Sequence, residues 1–160
     1  MESTPSLRDA IRPHLTYGEL RRLADSLGID VWSQRLPIGV CGYYDDGNGV
    51  IVVEREQTYR RKRCALVHEL VHWSHRDVRC GWLSDDRDER RTRRETARLL
   101  VDDDEYRTAE TMYEGDLCAM AVELDVTRQV MEDYREMILD GLICSVARPR
   151  FEESGPMRFL

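Results

Sequence analysis

Residues 65–77, ALVHELVHWSHRD, constrain the fold of this chain more than any other stretch. Ala65, Leu66, Val67, Leu70, Val71 and Trp73 place apolar side chains on nearly every side of a helix, so the segment belongs in an interior. It also carries Glu69 and His68, His72 and His75, three of the chain's 4 histidines. Imidazole and carboxylate groups are costly to bury unless they are hydrogen-bonded, ion-paired or bound to a metal. Any fold that buries this helix must therefore supply partners for its polar residues.

His68 and His72 stand four positions apart on one helix face, where both rings can reach a single ion. Glu69 projects beside that face and can accept a proton from water activated there. This is the HExxH pattern, in which two histidines hold zinc and the glutamate acts as general base. His75 does not complete the set. It lies about 300° round the helix from His72, and about 10 Å along the axis from His68. The longer HExxHxxGxxH pattern, in which a glycine brings a third histidine round, is not present. His75 is expected at the surface or behind the ligands. A structural zinc site built from His68, His72, His75 and Cys80 is a weaker alternative, since it leans on a lone cysteine.

A catalytic site of two histidines and one glutamate takes its third ligand from elsewhere in the chain, and the next helix offers Asp85, Asp86, Asp88, Glu89 and Glu95. Glu89 is followed at i+3, i+7 and i+11 by Thr92, Thr96 and Leu100, a face of mostly small residues that allows close approach to the histidine helix. Glu95 shares its face with Arg91, Arg98 and Asp102, which reads as exposed ion pairing. The spacing favours Glu89 over Glu95.

Around this core the chain reads as α+β. An amphipathic helix follows a possible cap at Thr16 and stops at Gly28. VWSQRL, Val40–Tyr44 and Val50–Val53 read as strands, with DDGNG as the turn between the last two. A sheet and N-terminal helix over 16–57, the HExxH helix over 58–75, a ligand-bearing helix over 84–101 and C-terminal helices over 104–139 follow. These helices include a break near Gly115 and a cap at Thr127. All of this forms one domain over 1–145, with a weakly ordered tail over 146–160. The length of 160 residues suits one domain, and the net charge of -7 argues against non-specific binding to nucleic acid or an anionic membrane. The arginine clusters YRRKRC and DERRTRRE are mixed with acids or lie within helices, and read as solvated faces. No signal peptide or membrane span is expected, and 5 scattered cysteines suit a reducing compartment.

The chain resembles the ImmA/IrrE-like metallopeptidases over about Tyr17 to Leu139. The resemblance rests on four stretches in order: CGYYDDGNGVIVVERE, CALVHELVHWSHRD, ERRTRRETARLLVD and AVELDVTRQVMEDYREMI. It implies a zincin-like fold with Zn²⁺ on His68, His72 and the glutamate opening the second helix, and with Glu69 as catalytic base. Counting back from Leu99-Leu100 in the family's register puts that glutamate at Glu89. The family often carries alanine where Thr92 and Thr96 stand and proline where Asp102 stands. The resemblance further implies a cytoplasmic endopeptidase that cuts a helix-turn-helix repressor, switching a phage or mobile element on. Tyr43 or Tyr44 is expected to assist, and the Val50–Val53 strand to receive the substrate by β-addition. A non-catalytic zincin-like regulator that binds a repressor or DNA is the alternative, although such a module has no need of Glu69.

Overall fold

The computed structural model describes residues 6–77 and 86–146, and 142–146 by backbone alone. It is a mixed α+β architecture. A short helix α1 (Leu7–Ala10), which the sequence reading did not anticipate, is capped by Ser6. Helix α2 (Tyr17–Ser26) starts with a reciprocal cap: Glu19 N–H donates to Thr16 Oγ1 at 3.2 Å, and Thr16 N–H donates to Glu19 Oε2 at 2.7 Å. It ends where Gly28 takes a left-handed conformation, φ 78°.

Three strands follow, β1 (Asp30–Gln34), β2 (Gly42–Asp45) and β3 (Val50–Glu54). The β2–β3 turn is fixed by Asp45, whose carboxylate accepts from the Asn48 backbone at 3.2 Å and side chain at 2.7 Å. The strand order is β1-β3-β2, with β1 parallel and β2 antiparallel to β3. This corrects the expectation for Val50–Val53. That strand is central and both of its edges are hydrogen-bonded, so it has no edge to offer a peptide. The edge next to the histidine helix belongs to β2.

Helix α3 (Tyr59–His75), capped by Thr58, packs across the sheet. Leu66, Val67, Leu70 and Val71 are buried against Ile51 and Val53, as its apolar sequence demands. Arg63 is also buried on α3, where its guanidinium donates to the carbonyls of Leu15, at 2.8 Å, Pro13 and Asp125. It satisfies three backbone acceptors and ties α3 to the chain before α2 and to the chain at Asp125.

Helix α4 (Asp86–Leu100) lies on α3, with Thr92, Thr96 and Leu100 buried between them. Helices α5 (Asp103–Met112) and α6 (Leu117–Glu123) break at Gly115, φ 79°, and α7 (Arg128–Val146) closes the fold over α4. Helix α7 runs beyond the expected end at 139. The DERRTRRE arginines form ion pairs rather than a plain solvated face: Arg90 meets Glu136 at 2.7 Å, Arg93 meets Asp133, and Arg94 meets Asp140, all across to α7. The expected start of the ligand helix near Ser84 and the tail from 147 lie outside the described residues. Among the described residues no helix is long and apolar enough to cross a membrane.

Candidate metal centre

Helix α3 delivers His68 and His72 one turn apart, and the first turn of α4 delivers Glu89 opposite them. The two Nε2 atoms are 3.1 Å apart. Glu89 Oε1 lies 3.3 Å from His68 Nε2, and Oε2 lies 3.3 Å from His72 Nε2. A tetrahedral ion with ligand bonds of about 2.0–2.1 Å places its ligand atoms about 3.3–3.4 Å apart. The three residues thus form a group with the spacing and chemistry that could hold a metal ion.

The group is braced from behind. Arg76, at φ 55°, turns the chain back at the end of α3, and Asp77 N–H donates to the His72 carbonyl at 3.1 Å. That turn brings Asp77 Oδ2 to 3.0 Å from His72 Nδ1. Neutral His72 then carries its proton on Nδ1 and leaves the Nε2 lone pair facing Glu89 and His68. Arg91 holds Asp77 in turn, at 2.8 and 2.9 Å, and Thr92 Oγ1 sits 3.4 Å from His72 Nδ1.

These contacts set the charges. Burial pushes the His72 imidazole pKa down, but hydrogen bonds to Glu89 and Asp77 prevail and raise it. Hydrogen bonds from His68 and His72 hold the Glu89 carboxyl far below the usual carboxylate range despite desolvation. Desolvation of Asp77 is likewise outweighed by its bonds to His72 and Arg91, and its pKa is lowered.

Glu69 is buried, 5% exposed, beside this group and faces β2. A side chain at Gly42 would stand 2.9 Å from the Val52 carbonyl oxygen, 3.6 Å from Glu69 Cγ and 3.8 Å from Ala65 Cβ. Glycine at this position therefore avoids a clash with the backbone of β3, and the position faces Glu69 and Ala65 of α3 at ordinary contact distance. All four residues line a cleft of about 640 Å³, bounded by Gly39–Gly42 on one side and Thr127–Val130 with Asp133 on the other. That volume is within the range of ligand sites.

Several expected participants stand elsewhere. Tyr44 is buried in the core and its hydroxyl donates to Asp46 at 3.0 Å; neither Tyr44 nor Tyr43 lines the cleft. Glu95 is held by His75 at 2.7 Å and lies 3.9 Å from Arg8, so it pairs with neither Arg91 nor Arg98. His75 accordingly sits outside the triad. Asp86 is exposed at the start of α4, and Asp88 pairs with Arg91 at 3.1 Å. Cys80 and Asp85 lie outside the described residues.

The sequence reading missed Asp77, Arg91, Arg93 and Asp133. Asp77 is the nearest to legible, as an acid just past the end of the histidine helix. Nothing in the sequence announces the left-handed arginine that folds it back. Compared with family models, curated proteins and solved structures, the chain finds no match.

Proposed function

We propose that this chain is a zinc-dependent metalloendopeptidase of zincin-like architecture, acting on a helix-turn-helix repressor as its resemblance to the ImmA/IrrE-like family implies. The observation that carries the reading is the convergence of His68, His72 and Glu89 at metal-ligand spacing with Glu69 buried alongside. A zinc ion held there lowers the pKa of water to about 7 and polarises a carbonyl group.

The chain's own residues account for the rest. Asp77 fixes the His72 tautomer, and Arg91 fixes Asp77. Glu69 takes a proton from the attacking water as the new C–O bond forms. It then gives that proton to the amine nitrogen as the C–N bond breaks. The substrate enters extended and adds to the edge of β2, where Gly42 faces Glu69.

Zinc-loaded protein mixed with a helix-turn-helix repressor encoded beside it is expected to cut that repressor at a defined bond. Glu69→Gln is expected to retain one equivalent of zinc and lose about 10²–10⁴-fold in cleavage rate. A Glu69→Gln protein that still relieves repression in cells would sink the peptidase reading in favour of a non-catalytic regulator.

A further inference from the structure

Arg93 stands one helical turn after Glu89 on α4, at the spacing where helical neighbours of opposite charge usually pair. Here they do not. Glu89 turns its carboxylate to the two imidazoles, and Arg93 turns its guanidinium to Asp133 on α7. Arg93 Nε donates to Asp133 Oδ2 at 3.1 Å and Nη2 to Oδ1 at 2.5 Å. Asp133 is 5% exposed and also accepts from Gln129 Nε2 at 3.3 Å. This clamp occupies one edge of the guanidinium. The other edge, Nη1, has no partner among the described residues, and Arg93 lines the same cleft as His68, Glu69, His72 and Glu89.

A planar donor locked by a buried carboxylate, on a residue that lines the cleft and has N–H groups to spare, is preorganised for an oxygen that gains negative charge. We propose that Arg93 binds the carbonyl oxygen of the peptide bond under attack, through Nη1, and that Asp133 is the positioning residue that aims it. The inference rests on the peptidase reading of the same cleft.

Two zinc-directed dipeptide analogues with the same side chains test it. A phosphinic analogue carries an anionic oxygen where the reacting carbonyl oxygen would be, and a thiol analogue binds through sulfur without one. Affinities are measured by calorimetry on the zinc-loaded protein. Arg93→Ala is expected to weaken the phosphinate by about 10²–10³-fold and leave the thiol unchanged, with zinc still bound at one equivalent. Asp133→Asn keeps the guanidinium but loosens its clamp, and is expected to weaken the phosphinate alone by a smaller factor. This second variant decides the matter should Arg93→Ala fold poorly. Equal weakening of both analogues, no weakening of either, or no phosphinate binding by the wild type overturns the proposal. A merely structural Arg93 would lower the melting temperature and leave the affinity ratio untouched. A wild type that binds the phosphinate but cuts no repressor removes the peptidase reading, while the affinity ratio still judges Arg93.

Discussion

Asp77 shows how much of a candidate metal site lies behind the residues that would hold the ion. It orients His72 through Nδ1 and is itself held by Arg91. Asp77→Asn is expected to lower zinc affinity about 10–100-fold, read by competition with a coloured chelator; unchanged affinity would mean the contact is incidental. Glu89→Gln should lose zinc in the same titration, while Glu95→Gln, which loosens only His75 and Arg8, should keep it. The charge state of His72 gives a further prediction. Its pKa is raised above the ordinary 6.5, so in the metal-free protein its charged pairing stabilises the fold below that value and is lost as pH rises through the raised one. Zinc requires the neutral ring, so its affinity moves the opposite way. The rise in melting temperature on adding zinc should therefore be larger at about pH 8 than at about pH 6. Equal rises at both would contradict the assigned coupling.

At the scale of the element, Gly42 and Arg63 carry more than their sequence context suggests. A Gly42→Val side chain meets the Val52 carbonyl at 2.9 Å, so β2 must move off β3. The expected cost is about 1–3 kcal/mol in chemical denaturation, whereas Gly18→Ala, with nothing within 4 Å, should cost nothing measurable by strain. Arg63→Ala strands three carbonyls and should cost about 3 kcal/mol or more by the same measurement. Local signals were the legible ones. The Thr16 and Thr127 caps, the DDGNG turn and the break at Gly115 all sit where side-chain chemistry and glycine φ values require them. The edge strand was misread because pairing is a tertiary choice, although the run Val50-Ile51-Val52-Val53 held a clue. Four apolar residues without alternation suit a strand covered on both faces, which is the central position. The Thr92 and Thr96 face was legible by helical spacing and is buried against α3. Arg93 was not, since only the packing of α7 reveals that Asp133 claims it.

Across the whole molecule, the three grouped residues come from two helices that meet through Thr92 and Thr96, so an ion held by them would couple α3 to α4. Chelation should lower the melting temperature of the zinc-loaded protein, and Glu89→Gln should abolish that difference while Glu69→Gln preserves it. Calorimetry with and without a chelator checks both. The sheet carries a different consequence. With β3 in the middle, the outer edge of β2 has no strand partner among the described residues. Unfinished backbone ladders invite other copies of the same chain, and natural sheets guard against it with brevity, proline and charge. Here β2 is only 4 residues long, begins at a glycine, follows Pro37 and ends at Asp45. Those are brakes on self-association at an open edge. If that edge receives substrate as proposed, its openness also limits how crowded the protein can become before it pairs with itself.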